Sequence, residues 1–250
     1  MTVSPFLKSL FLLLSLMKNG SHKLDPKFFL SQLGSLISKE RGTSFIVNKP
    51  QDCSEVLQYI LTEIVRDCPE SYKMICSEVC ESSTCNTCLL VNTNVTPHTS
   101  VLVPVSDSLS DSVSSFLLDG PNSQTENKHC ASCNCIREFS LDRNFSVLPD
   151  ILIINIDRNV SIGNASIKDN RRLNFSNNLS LSSSCEDISI RARYSLKAVI
   201  NHSGSTLSGH YTAHVNPSDT WFFCNDTLVS KCKLSSCNPS TYSSLFFQRS

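Results

Sequence analysis

The stretch HSGSTLSGHYTAHV, His202 to Val215, holds three imidazoles, of which His202 and His210 stand around a Ser-Gly turn and His214 lies in the alternating strand that follows. The block WFFCND follows, and NPSDT between them reads as the turn of an antiparallel hairpin that sets Val215 near Trp221. Counting back along both strands brings His210 within about one residue of lying opposite Asn225 or Asp226. A carboxamide or carboxylate beside an imidazole fixes its tautomer and ring orientation, which a histidine acting as a general base requires. A single strand histidine is ordinarily just a polar residue. Ser208-Gly209 ahead of His210 and Asn225-Asp226 across from it favour the catalytic reading. Gly209 also removes a side chain where a substrate backbone would have to approach closely. His202 and His214 have no comparable partner in the pattern and read as structural or exposed.

A second constellation is made of thiols. Among thirteen cysteines, Cys85-x2-Cys88 and Cys130-x2-Cys133 stand 41 residues apart. Such spacing lets two turns present four thiolates tetrahedrally to one Zn2+. Cys76, Cys80 and Cys135 crowd the same region and compete for a ligand position, and four free thiols are the alternative to a metal. Disulfides are the opposed reading, for a secreted chain. The opening MTVSPFLKSLFLLLSLMKNGS and nine Asn-x-Ser/Thr sequons point that way. The apolar run Ser9 to Met17 is short for a membrane span and lacks a small-x-small cleavage pattern. The sequons at Asn201 and Asn225 fall in the central hairpins, where a glycan has no room.

The elements that must position these groups divide into helical and strand-rich parts. Leu10 to Met17 reads as a buried helix. Asp25-Pro26 caps a second, with Phe29, Leu30, Leu33, Leu36 and Ile37 at helical spacing. Pro50 opens a third, where Val56, Leu57, Ile60, Leu61, Ile64 and Val65 form one stripe and Asp52 and Glu55 occupy the first turn. From Cys68 to Cys135 the segments are short, and VSDSLSDSVSSFLLDGPNSQTENKH reads as an exposed, partly disordered loop. From Phe145 on, LPDILIINIDR, YSLKAVINHS, HYTAHV and WFFCND read as strands. The expected fold class is α+β with a mainly antiparallel sheet. The 250 residues carry 22 basic and 22 acidic side chains, so no net field recruits nucleic acid or a membrane surface.

PQDCSEVLQYIL, the paired CxxC, LPDILIINIDR, the block YSLKAVINHSGSTLSGHYTAHVNPSDTWFFCND and the closing TYSSLFFQR occur in the order found in the catalytic domain of ubiquitin-specific proteases. The chain resembles that domain from roughly residue 10 to 249. The resemblance implies a papain-like fold with a helical thumb in 1–70, zinc-braced β fingers in 71–140 and a β palm carrying the histidine in 141–250. It implies a cysteine-type deubiquitinase cleaving (iso)peptide bonds at the C-terminus of ubiquitin. His210 would be the base and Asn225 the orienting residue, with Asp226 beside it. Asp52, Glu55, Gly209 and Tyr211 would meet the substrate, the two acids facing ubiquitin's basic tail. Cys85, Cys88, Cys130 and Cys133 would hold structural Zn2+.

The family's nucleophile lies in an Asn-Thr-Cys-type segment at a helix N-terminus, and no cysteine precedes Pro50 here. Cys53 falls where the family has a small core residue and Cys224 where it has an aromatic one, so neither is placed to substitute. Pro50 replaces the first of the family's paired glutamines, and Asn159-Val160 replaces the aromatic after the strand's arginine. Two functions are therefore expected: a deubiquitinase whose nucleophile lies upstream of these residues, or a catalytically inactive ubiquitin-binding relative. Partners would be ubiquitin or its conjugates, with no nucleic acid and no membrane. The protein is expected to be a monomer, intracellular, in cytoplasm or nucleus.

Overall fold

The computed structural model describes residues 3–19, 25–41, 51–118, 122–163, 165–185 and 188–250. They form two compact units, Met1–Tyr72 and Lys73–Ser250.

The first unit is helical, with α1 (Pro5–Lys18), α2 (Lys27–Arg41) and α3 (Cys53–Asp67). Ser4 caps α1 by accepting the Leu7 N–H at 3.2 Å, and Pro5 takes the first helical position, where its missing N–H costs nothing. Phe6, Leu7, Leu33 and Ile37 form a core onto which Val56, Ile60 and Ile64 of α3 pack. The run Leu10 to Met17 is not buried as expected. Phe11, Leu12, Leu14, Leu16 and Met17 are exposed, because the core reaches only the first turns of α1. Asp25 Oδ1 accepts the Lys27 N–H at 3.0 Å, which starts α2 where the Asp-Pro signal puts it. Pro50 lies outside the described residues.

After the short α4 (Tyr72–Ile75), the second unit opens with β1 (Ser77–Cys85), β2 (Val91–His98) and β3 (Val101–Pro104). Then come α5 (Leu109–Phe116), β4 (Gln124–Cys130), β5 (Cys135–Val147), β6 (Ile151–Asp157), β7 (Asn159–Ile162) and β8 (Ala165–Lys168). The remaining strands are β9 (Asn178–Cys185), β10 (Ile188–Gly204), β11 (Gly209–Val215), β12 (Phe222–Asn225), β13 (Leu228–Lys231) and β14 (Tyr242–Arg249). Twelve strands make one sheet along the path β13-β12-β11-β10-β9-β5-β1-β2, with β14 linking β10 to β6. Pairing is antiparallel except for β3 with β6 and one residue pair between β5 and β9. β6 is buried along its centre because it lies between β14 and β3, which explains the unbroken apolar run of LPDILIINID. The boundary expected between residues 140 and 141 falls inside β5, so the residues on both sides share this sheet.

The described residues of the serine-rich segment are largely structured rather than a loop. α5 forms inside it, with Ser108 Oγ accepting the Asp111 N–H at 3.1 Å and donating to Asp111 Oδ2 at 2.6 Å. Leu109 and Val113 then enter the main core, while Phe116 rings meet Phe145 at 6.1 Å. Four apolar positions at helical spacing outweigh the polar residues between them. β4 takes up the end of the same segment by pairing with β5.

Candidate active site

Three consecutive hairpins build the site. In β11 and β12, Val215 pairs with Phe222 and Ala213 with Cys224, one residue away from the expected Val215–Trp221 alignment. The turn holds Asp219 in left-handed backbone (φ +57°), which accommodates the extra residue. β12 ends at Asn225 and turns at once into β13, with Asp226 also left-handed (φ +49°) and Asn225 paired to Leu228. This tight turn aims Asn225 at the preceding strand. His210 Nε2 lies 2.6 Å from Asn225 Oδ1 and 3.9 Å from Asp226 Oδ2. Of the two candidates opposite the imidazole, Asn225 makes the hydrogen bond, and Asp226 contributes a nearby carboxylate. An amide oxygen only accepts, so Nε2 carries the imidazole proton and Nδ1 keeps its lone pair.

The β10–β11 turn is compact. Gly204 pairs with Gly209, has φ +135°, and a Cβ on it would stand 2.5 Å from Gly209 Cα. Inside the turn, Ser205 Oγ accepts the Leu207 and Ser208 N–H groups, both at 3.2 Å. The space above Gly209 is filled from within the protein: a Cβ there would overlap the His202 ring and lie 2.5 Å from Ser203 O. Tyr211 stacks on the same ring at 4.5 Å.

The other two histidines do have partners, which strand pairing supplies and the linear pattern hides. His214 is buried, and its Nδ1 accepts from Asn201 Nδ2 at 3.1 Å while the ring packs on Phe223. Burial lowers its pKa below the ordinary 6.5. His202 is met by Lys168. The Asn201 side chain is thus engaged in the interior.

Cys224 neighbours Asn225 on β12. Successive strand residues face opposite sides, so its thiol points away from the side on which Asn225 meets His210. Cys53 is the first residue of α3. Burial pushes the Cys76 and Cys232 thiols up and takes Cys237 to about 12, which keeps all three protonated.

Asp52 is the N-cap of α3: its Oδ1 accepts from Ser54 N at 2.8 Å and Glu55 N at 3.1 Å. Glu55 lines a cleft of about 320 Å³ with Glu40, Gln58, Tyr59, Glu63 and Arg66. Glu63 is buried and pairs with Arg66, and burial raises its carboxyl above the usual range while the guanidinium opposes the shift. Glu40 and Glu63 were not legible as members of an acidic site because Glu40 comes from α2.

The sulfur atoms of Cys85, Cys88, Cys130 and Cys133 lie within 4.8 Å of one another. Four thiolates about 2.3 Å from one Zn2+ in a tetrahedron would sit about 3.8 Å apart, so the donor set fits that ion. Cys85 and Cys130 are fully buried, with Phe139 packed on them. The N–H of Leu90 lowers the Cys88 thiol to about 6, and that of Cys88 lowers Cys85. Cys133 is pushed up to about 12, first by its contact with Cys88. Cys76, Cys80 and Cys135 are not part of the cluster, and Cys135 Sγ donates to Cys133 O instead. The tripeptide Asn86-Thr87-Cys88 matches the family's nucleophile segment in letters only: it is the turn of the first knuckle, not a helix N-terminus.

An antiparallel palm presenting a histidine hydrogen-bonded to an asparagine, beside a strand extension ending in a four-thiol cluster, defines a papain-like cysteine protease fold of the ubiquitin-specific type. The family description "Ubiquitin carboxyl-terminal hydrolase" matches residues 3–247, and the chain belongs to that family. It is 28% identical over 183 residues to ubiquitin carboxyl-terminal hydrolase 2 of Homo sapiens, covering 67% of this chain and 29% of the relative. Against ubiquitin carboxyl-terminal hydrolase 11 of Schizosaccharomyces pombe it is 24% identical, covering 96% of this chain and 72% of the relative. In fold it is similar to a chain of the SAGA Ubp8/Sgf11/Sus1/Sgf73 DUB module bound to monoubiquitin. That match has a TM-score of 0.80 at 18% identity and covers 99% of this chain and 59% of the other. The module bound to ubiquitin aldehyde gives a TM-score of 0.73 at 20% identity, covering 89% and 53%. The chain thus spans under a third of the length of the first relative. No helix among the described residues is long and apolar enough to cross a membrane.

Proposed function

We propose that this chain carries the base and orienting half of a cysteine-type deubiquitinase site acting at the C-terminus of ubiquitin, and that these 250 residues do not carry the nucleophile. The 2.6 Å contact between His210 Nε2 and Asn225 Oδ1 supports the reading most directly. With its proton held on Nε2, the imidazole offers Nδ1 to a thiol. It takes the thiol proton as the sulfur attacks the isopeptide carbonyl and returns it to the leaving lysine amine. Asn225 holds the ring orientation throughout, Asp226 lies beside the imidazolium formed between the steps, and Tyr211 and the backbone of Gly209 border the entry of the tail. Asp52 and Glu55 meet basic side chains of that tail. Zn2+ at the four cysteines would brace the finger strands, with every coordination position filled by protein. Reduced thiols at that cluster fit an intracellular site, in cytoplasm or nucleus, and the chain acts as a monomer.

A second reading is a catalytically inactive ubiquitin-binding relative, favoured by the placement of Cys224, whose thiol faces away from His210. Removing an essential member of such a unit costs about 10⁶-fold in the serine analogue. A ubiquitin-tail electrophile separates the readings. The expected result is no covalent adduct on this chain and ubiquitin binding measurable by calorimetry. An adduct at Cys53 or Cys224 would refute the absence of a nucleophile, and no binding would refute both readings. An adduct formed only when an upstream thiol segment is joined to the chain identifies it as the body of a working protease.

A further inference from the structure

His202 faces Tyr211 across the β10–β11 pairing, one step along from the Ser203–His210 pair. The two rings stack at 4.5 Å with 30° between their planes. The same imidazole fills the space above Gly209, where a Cβ would overlap Nε2 and lie 2.9 Å from Cδ2. Lys168 reaches in from β8, its Nζ lying 3.1 Å from His202 Nδ1 and 2.5 Å from the His202 carbonyl oxygen. An ammonium only donates, so Nδ1 accepts and Nε2 carries the proton. Thr206, in the turn before His210, donates to Ser166 O at 3.4 Å. The β7–β8 hairpin pairs with no other strand among the described residues, yet β8 meets the histidine hairpin through Lys168 and Ser166.

His210 itself is exposed on β11, and Asn225 is its close hydrogen-bond partner. The aim of its ring therefore depends on the backbone of Gly209–Tyr211, and His202 presses on both residues that flank it. We propose that His202 is a positioning residue for His210, seated by Lys168 and the β7–β8 hairpin and wedged between Gly209 and Tyr211. Gly209 is required by this contact, since any side chain would displace the wedge. Lys168 has a second effect: as a donor to Nδ1 it holds the wedge in one tautomer. Lys168 from β8 and Tyr211 from β11 face His202, and burial, with the Arg158 cation second, lowers the Lys168 pKa.

The inference rests on the reading of His210 as the base, but its test reads the imidazole and not turnover, so the two fail separately. In the full ¹⁵N-labelled chain, long-range proton–nitrogen correlations should show His210 as a single Nε2–H tautomer. In His202→Ala, the two ring-nitrogen shifts of His210 should move toward each other as the tautomers mix, while those of buried His214 stay in place and report an intact fold. Lys168→Gln should move His210 in the same direction by less, and His202→Asn, which keeps an acceptor where Nδ1 stands, should return part of the shift. Unchanged His210 signals in a folded His202→Ala protein would overturn the proposal. If that variant does not fold, unchanged signals in Lys168→Gln overturn it. A shift in His202→Ala with no recovery in His202→Asn would remove Lys168 from it.

Discussion

Leu89 and Asn134 each stand one residue past the second cysteine of a pair, and both adopt left-handed backbone, with φ of +60° and +53°. The two knuckles thus share one backbone turn, which brings Cys85 and Cys88 to Cys130 and Cys133. Left-handed backbone suits asparagine but costs leucine about 1 kcal/mol. Leu89→Gly is expected to hold or slightly raise the thermal midpoint. Leu89→Val, β-branched at the same φ, is expected to lower stability by about 1 to 2 kcal/mol in denaturant unfolding.

Protein purified under reducing conditions is expected to carry about one Zn2+ per chain, and each Cys→Ser change at the four positions should lower that content. Cys135→Ser should not, since Cys135 Sγ bonds the backbone carbonyl of Cys133 and is not among the four clustered sulfurs. Metal analysis decides both. Chelation should lower the unfolding temperature as well, because metal affinity for the folded form is folding free energy.

The buried His214–Asn201 pair sets an acid limit on stability. Its folded pKa is depressed by burial, so the unfolded chain takes up the proton first as pH falls. Stability is therefore full above the ordinary 6.5 and declines as pH drops from there toward the lower folded value. His98, also lowered by burial, acts in the same direction. Denaturant midpoints between pH 7 and 5 should show this decline, and His214→Gln should make it shallower. Asn201→Ala, which leaves His214 Nδ1 without its donor, should cost about 1 to 3 kcal/mol.

Asp52 combines a helix cap with a charge, and two substitutions separate them. Asp52→Ser retains a capping oxygen, so helix stability should change by only a few tenths of a kcal/mol while tail recognition weakens. Asp52→Lys should weaken ubiquitin binding by on the order of 1 to 3 kcal/mol if the pair is partly desolvated, less at high salt. Calorimetry against ubiquitin measures it. Equal affinity for all three proteins would place the tail elsewhere.

Amino-acid order alone determined the features set by local chemistry. The Asp25-Pro26 start of α2, the stripe of α3, the alternation of β10 and β11 and the two CxxC knuckles depend on near neighbours in the chain, so periodicity and spacing reveal them. Tertiary structure decided what depends on partners far apart in sequence. Counting along the strands left Asn225 and Asp226 both open opposite His210; in the fold Asn225 is the close partner, because a left-handed Asp226 turn aims Asn225 at the ring and leaves Asp226 exposed. α5 was hidden because its serines dilute an apolar face whose worth appears only when Leu109 and Val113 reach a core built by β3, β6 and β14. The exposed end of α1 runs the opposite way, an apolar run without enough facing surface in the first unit to cover it. Lys168 and His202 are 34 positions apart, and no local pattern could bring a lysine to that imidazole. The fold places it there because the β7–β8 hairpin turns back over the loop that carries the histidines.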